Sequence, residues 1–436
     1  MKKILLIIFM SVSIGANAQF WTTKATTFTT ANRTLSSISI VDGSNIWATG
    51  TDGAVGSTVK QITRSVDGGN TWVSSNIALG TGTTTLGITS ITAVSPTTAW
   101  VSANPTGTPK GGIWKTVNSG VNWTKQATAL FNTTASFANF VYFWDANNGI
   151  AQGDPESSYY EIYTTTDGGT TWVRVPSANI PAPAPVADEF GYNNNYAVSG
   201  NTIWFATSKG RIFKSSDKGL NWTVSQSPST DIGSATTGGS YTFSDTSKGL
   251  MSLANGNLYN TLDGGATWNI VASAGYFSGD IKYIPNSSEV VSAGSAPAGS
   301  SYSLNDGVTW TNIDGTPHGL LAFKNFIGFS AGLNTSATVG GVDKYTGTVL
   351  ANQSFSNTKN ISATPNPTNG NLKLLSSLNG INEVMIFDLQ GKQVYVEKFS
   401  ELNEINLDLS ILQTGAYLLK TTTINGIVET LKIMKN

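Results

Sequence analysis

An acid placed at a fixed offset from a hydroxyl, a glycine and an indole could hold a metal, move a proton or close a turn. The segment RSVDGGNTW (64–72) has this composition. It recurs as KTVNSGVNW (115–123), TTTDGGTTW (164–172), KSSDKGLNW (214–222), NTLDGGATW (260–268) and YSLNDGVTW (302–310). The shared pattern is Ser/Thr, any residue, Asp/Asn, any, Gly, any, any, Trp. Asp67, Asn118, Asp167, Asp217, Asp263 and Asn305 fill the acid or amide position, and Trp72, Trp123, Trp172, Trp222, Trp268 and Trp310 the indole. Asn in two copies speaks against a catalytic carboxylate. A calcium loop needs more oxygen ligands and a closing Glu. All six copies suit a hairpin turn. The Asp or Asn accepts from backbone N–H groups two residues on, and the hydroxyl adds a second local bond. The glycine takes a positive φ. The indole starts the next strand and packs against a neighbouring element.

A second set of acids lies in long irregular segments: GDPESSYY (153–160), PSANIPAPAPVADEF (176–190) and SPSTDIGSATTGGS (227–240), with NPTGTPKGG (104–112) beside them. They carry Asp154, Glu156, Tyr159, Tyr160, Asp188, Glu189 and Asp231. Two such carboxylates could form a glycosidase pair. Scattered loop acids are also ordinary solvated charge, and no complete catalytic constellation emerges. A Walker A loop, a HExxH zinc site and a His-based triad are absent.

The elements that position these residues follow from the repeat. Successive acid or amide positions lie 51, 49, 50, 46 and 42 residues apart. A period of that length fits one four-stranded propeller blade. NIWATG (45–50), TAWVSA (98–103) and TIWFAT (202–207) read as second strands, with Trp47, Trp100 and Trp204 packing between blades. NGIAQG (148–153) and KGLMSL (248–253) fill the same slot elsewhere. After the sixth turn, 320–347 gives three more strand-like runs, and FWTTKAT (20–26) resembles a fourth strand without its blade. Joining them predicts an all-β, seven-bladed propeller closed by the N-terminal strand, with six blades the alternative. The recurrent turns join third and fourth strands. The long loops therefore open on the opposite face, where ligand sites usually sit.

The six segments closely resemble the Asp-box, or BNR, repeat of sialidase-type and sortilin-type propellers and photosystem II assembly factors. The resemblance covers about residues 19–352 and implies the fold, not a function. A sialidase would imply three Arg on the substrate carboxylate, a Tyr nucleophile with a Glu partner, and an Asp acid. The chain has four Arg: Arg33, Arg64, Arg174 and Arg211. Arg64 is a repeat position and Arg174 belongs to a fourth strand. Arg211 sits in RIF, not the sialidase RIP. A converging triad is not expected.

Composition bounds the rest. Lys+Arg is 25 against Asp+Glu 26 in 436 residues, so nothing marks a nucleic-acid or anionic-membrane partner. No Cys is present, and His318 is the single histidine. Disulfides, thiolate sites and paired-imidazole metal sites are excluded, and no metal or cofactor is expected. Lys2 and Lys3, the apolar run 4–14 and ANA (16–18) before Gln19 read as a signal peptide of residues 1–18, cut between Ala18 and Gln19. The apolar run is too short to span a bilayer, and no other segment could. Residues 353–360 read as a linker. From 361 to 436, PNP (365–367), IFDLQGK (386–392), LDLS (407–410), GAYLL (415–419) and KIMK (432–435) alternate apolar residues with turns, predicting a small antiparallel sandwich of about seven strands. Together these motifs resemble the type A C-terminal sorting domain of the type IX secretion system of Bacteroidetes. The resemblance implies Sec export, recognition by the outer-membrane translocon and removal of the tail by a surface sortase. Function then rests with the propeller, read as a non-enzymatic module for a glycan or protein. The alternative is a secreted glycoside hydrolase or lyase using the loop carboxylates.

Overall fold

The computed structural model describes residues 20–105, 111–183, 189–285, 287–325, 327–346, 361–376, 380–388, 392–423 and 428–436. The predicted leader with its Ala18/Gln19 junction, the predicted linker 353–360 and Asp188 lie outside them. The described residues form two compact units, 20–346 and 361–436. No helix among them is long and apolar enough to cross a membrane.

The first unit contains seven four-stranded antiparallel sheets. Sheet 1 runs Arg33–Ile40, Ile46–Asp52, Thr58–Ser65, Val73–Asn76, and its strands pair in chain order. Sheets 2 to 6 repeat this over 86–125, 138–174, 191–226, 239–271 and 280–314. Sheet 7 takes Leu321–Lys324, Ile327–Ser336 and Val339–Tyr345, then accepts Trp21–Ala25 as its outermost strand, with Trp21 opposite Tyr345. The first strand of each sheet lies beside the first strand of the next, and that of sheet 7 returns to sheet 1. The ring is a β-propeller. Closing it leaves no sheet face without a neighbouring sheet and only the short outer strands with an open edge.

Aromatic residues fill the seams between sheets. Trp47, Trp100 and Trp204 are fully buried. Trp100 stacks on Phe143 of sheet 3 at 3.6 Å, and Trp204 on Phe243 of sheet 5 at 3.9 Å. Trp47 meets Trp123 of sheet 2 edge-on at 6.4 Å. Small and β-branched strand residues let these rings lie flat between sheets.

The six recurrent turns share one geometry. Asp67 Oδ1 accepts from the Thr71 N–H at 2.9 Å, four residues on, and from the Ser65 hydroxyl at 2.8 Å. The same four-residue reach holds at Asn118, Asp167, Asp217, Asp263 and Asn305. The expected bond two residues on is thus replaced by a longer span. Two successive residues take left-handed φ, 73° at Gly68 and 82° at Gly69, and curl the backbone back over the carboxylate. A Cβ on Gly69 would lie 2.3 Å from the Phe329 ring of sheet 7. The Ser/Thr hydroxyl two residues before the acid accepts from the buried glycine N–H, at 2.9 Å for Thr165 and Gly169. The turn bonds hold the Asp67 and Asp263 carboxyls down at about 2, the Thr71 and Thr267 hydroxyls contributing most. Thr165→Val keeps the shape of the side chain but orphans the Gly169 N–H. It is expected to cost about 1–3 kcal/mol. An unchanged urea midpoint would remove the hydroxyl from the account of the turn.

The second unit has seven strands in two sheets. Ile361–Thr364, Asn371–Ser376 and Glu404–Asp408 form one. The other runs Gln393–Leu402, Ile381–Phe387, Gly415–Thr423, Val428–Lys435. Alternating apolar residues from both sheets, among them Leu372, Leu374, Val384, Ile386, Leu407 and Leu419, build a core of their own.

Candidate functional site

The irregularity that makes a recess lies in sheet 4. Its first strand, Gly191–Ser199, pairs Gly191 with Thr207 and next Tyr196 with Phe205. Five steps on this strand match two on its partner, so three residues are surplus (5 − 2 = 3). Asn193, Asn194 and Asn195 lie in this bulge. Asn194 takes φ 54°, a left-handed conformation that Asn tolerates better than most residues. Its Nδ2 donates to the Ser36 carbonyl at 2.9 Å, and its Oδ1 accepts from the Ser37 hydroxyl at 2.9 Å. Those serines belong to sheet 1, which is not adjacent to sheet 4 in the ring. The bulge therefore reaches across the central channel and gives it a floor.

Above that floor is a cleft of about 310 Å³, lined by Asn193, Asn195, Ser240, Asp280, Lys282 and His318 among others. It opens where the inner strands begin, on the face opposite the recurrent turns. Asn195 Oδ1 accepts from the Tyr241 hydroxyl at 2.8 Å. Asp280 accepts from the Ser240 hydroxyl, from Lys282 Nζ at 3.1 Å and from the Leu321 N–H at 2.7 Å, tying sheets 5, 6 and 7. With its oxygens occupied and its charge matched, Asp280 is a structural acid. The cleft thus offers amides, hydroxyls and one neutralised pair.

His318 closes one side. Its Nε2 lies 3.0 Å from Asp314 Oδ2 and 2.9 Å from the Thr316 hydroxyl, its Nδ1 lies 3.2 Å from Asp343 Oδ2, and the Trp21 ring covers it at 5.0 Å. Asp343 also accepts from the Thr23 hydroxyl at 2.6 Å. Trp21 Nε1 donates to Ser300, whose hydroxyl donates to Asp314. The network therefore clasps the closing strand Trp21–Ala25. Burial opposes the charged imidazole, but Asp343 and Asp314 outweigh it and raise its pKa above 6.5. A raised folded-state pKa stabilises fully below the unfolded value and is lost as pH rises through the folded one. Stability is expected to fall through and above neutral pH, and His318→Gln to flatten that slope in melts across pH 6–9. A wild-type slope retained in the variant would assign it to other groups.

The loop acids predicted for this face are dispersed and tied. Glu156 pairs with Arg174 at 2.9 Å and accepts from the Ser157 hydroxyl; both hold its pKa down. The Arg174 guanidinium also stacks on Tyr159 at 4.4 Å. Glu189 is buried and receives both Arg211 Nε at 3.0 Å and an Arg211 terminal nitrogen at 2.6 Å. Asp231 accepts from the Tyr192 hydroxyl at 2.6 Å and the Gly233 N–H at 3.0 Å. Tyr160 does not reach the face. It is buried against Phe205 and Phe213, and burial, then Glu189 and Asp154, push its phenol far above the ordinary range. Asp154 accepts from Asn139 Nδ2 at 2.8 Å and the Gly191 N–H at 2.9 Å, yet burial raises its carboxyl to about 6. The four Arg are engaged separately, Arg33 with Asp52 and Arg64 over the Trp47 ring at different places in sheet 1, Arg174 with Glu156 in sheet 3 and Arg211 with Glu189 in sheet 4, so they do not converge. The bulge, Asp280 and the His318 clasp were not anticipated. A run of three Asn where an inner strand should be apolar was the available signal.

Residues 362–436 match the family model described as the secretion system C-terminal sorting domain. The second unit is a type IX sorting domain. A chain bearing it is secreted or displayed at the cell surface, and the sorting domain engages the type IX machinery. No curated protein matches the chain. Among solved structures, one described as YCF48 bound to D1 peptide superposes with a TM-score of 0.55 at 17% identity, over 76% of this chain and 98% of that one. YCF48 from Cyanidioschyzon merolae gives 0.52 at 16%, over 74% and 98%. These likenesses cover the propeller fold that precedes the sorting domain.

Proposed function

We propose that the propeller is a non-enzymatic binding module for a glycan or a protein segment, carried out of the cell by residues 1–18 and the sorting domain, with the tail removed by a surface sortase. The observation that carries this reading is the channel-mouth cleft. Its exposed Asn193 amide and neighbouring hydroxyls suit sugar hydroxyls or peptide groups, and its acid is already satisfied. A propeller with a peptide bound, as in the YCF48 complex, is in keeping with a protein ligand. The test is a glycan array and a pull-down with the full chain, beside Asn193→Trp, which fills the cleft. Binding lost in the variant at unchanged melting temperature supports the cleft. Binding unaffected by the variant, or hydrolase turnover by the wild type, overturns it.

One observation favours the hydrolase reading. A carboxyl raised to about 6, as at Asp154, is suited to donate a proton near neutrality. Activity on polysaccharides or aryl glycosides that Asp154→Asn abolishes would support it. Among the described acids of the predicted set, Glu156 and Glu189 are held in Arg pairs and Asp231 accepts from Tyr192 and Gly233.

A further inference from the structure

The outward faces of the two sheets of the sorting domain differ in chemistry. On the three-stranded sheet the outward positions hold Thr364, Asn371, Lys373, Glu404, Asn406 and Asp408, with Leu375 the exception. Lys373 pairs there with Glu404 at 2.7 Å. This is the alternation expected where an antiparallel sheet faces water.

The four-stranded sheet breaks that rule. Its inward positions fill the core, among them Val384, Ile386, Tyr417, Leu419 and Ile433. Several outward positions are apolar as well. Val396 lies opposite Met385, Phe387 opposite Leu418, and Ala416 opposite Met434. Met385 and Phe387 are two residues apart on one strand, and Ala416 and Leu418 on the next, so each pair shares a face. The six residues therefore form one diagonal band across all four strands. Val396 is 51% exposed, Leu418 40% and Met434 39%, and the other three are partly exposed. A continuous apolar band facing water marks a surface that another body covers.

The charges beside the band have one sign. Lys420 lies opposite Met385, and Lys432 opposite Leu418. Among the described residues neither is in an ion pair. The one acid at a described outward position of this sheet, Glu383, faces Lys398 at 3.9 Å. A twofold contact between two copies through this face would set lysines against lysines, which opposes it. The charges instead suit a partner that brings acids of its own.

We infer that this band is the face by which the type IX machinery holds the sorting domain, through an apolar groove edged by carboxylates on the machinery component. The two Met in the band have unbranched side chains that adapt to such a groove. The inference does not depend on what the propeller binds.

The test expresses the full chain in a host with the type IX route. Leu418→Thr with Met434→Thr removes the middle and one end of the band and keeps residues that favour strands. The share of chain at the surface or in the medium is expected to fall about tenfold or more, at unchanged melting temperature. Leu375→Thr, on the polar face, is expected to leave export unchanged. Lys420→Glu with Lys432→Glu changes the charge alone and is expected to impair export too, which decides the matter should the Thr variant melt earlier. A photo-cross-linker carried at position 418 is expected to attach to a component of the machinery. Wild-type export by both double variants, or an equal loss with Leu375→Thr, would overturn the face. Cross-linking to a second copy or to the chain's own propeller would overturn the partner. Deletion of 361–436 is the reference: export lost on deletion but kept by the band variants rejects this face and leaves the sorting role standing.

Discussion

Deletion of residues 361–436 is expected to leave a folded propeller inside the cell envelope and none at the surface. The matched sorting domain spans almost all of the deleted segment. The propeller closes on itself, because Trp21–Ala25 completes sheet 7 without a residue of the tail. The tail in turn buries Leu372, Ile386, Leu407 and Leu419 in a core of its own. Each unit therefore completes its sheets and its core with its own residues. Fractionation of a host with the type IX route, comparing full-length and truncated chains, reads the result. Truncated protein reaching the surface or medium at the full-length level would contradict the sorting role. Truncated protein that fails to accumulate anywhere would contradict the independence of the propeller.

Trp204→Ala is expected to be the most damaging single substitution in the propeller, at about 3–5 kcal/mol. The indole is fully buried, lies parallel to Phe243 at 3.9 Å and donates to the Gly264 carbonyl at 2.8 Å. Truncation opens a cavity in the seam between sheets 4 and 5 and leaves that carbonyl without its donor. The turn tryptophan of sheet 5, Trp268, is only half-buried and should cost less. Paired urea titrations of Trp204→Ala and Trp268→Ala test the ranking. A loss below about 1 kcal/mol at Trp204, or a larger one at Trp268, would show that the seam repacks.

The repeat made the sheets legible because each turn carries its chemistry within eight residues. Asp67 and Trp72 are close in sequence and close in space. The same holds for the tail, where PNP (365–367) and GAYLL (415–419) mark strand boundaries. The cleft was not legible in that way. Asn194 meets Ser36 and Ser37 across about 157 residues, and nothing local to NNN (193–195) names those partners. The surroundings of the loop acids were hidden for the complementary reason. Glu189 looks like solvated charge until Arg211, 22 residues on, folds back against it.

Closure by the N-terminal strand also governs when the propeller can form. Trp21 pairs with Tyr345, so the closing contact spans 324 residues (345 − 21 = 324). Sheets 1 to 6 can each assemble from contiguous chain, but the last sheet needs both ends together. Such a contact forms late, since a long loop must be closed before it is rewarded. A nascent or translocating chain therefore remains an open arc until residue 345 is free. Trp21 is then the last piece set in place, and its release is the natural first step of unfolding.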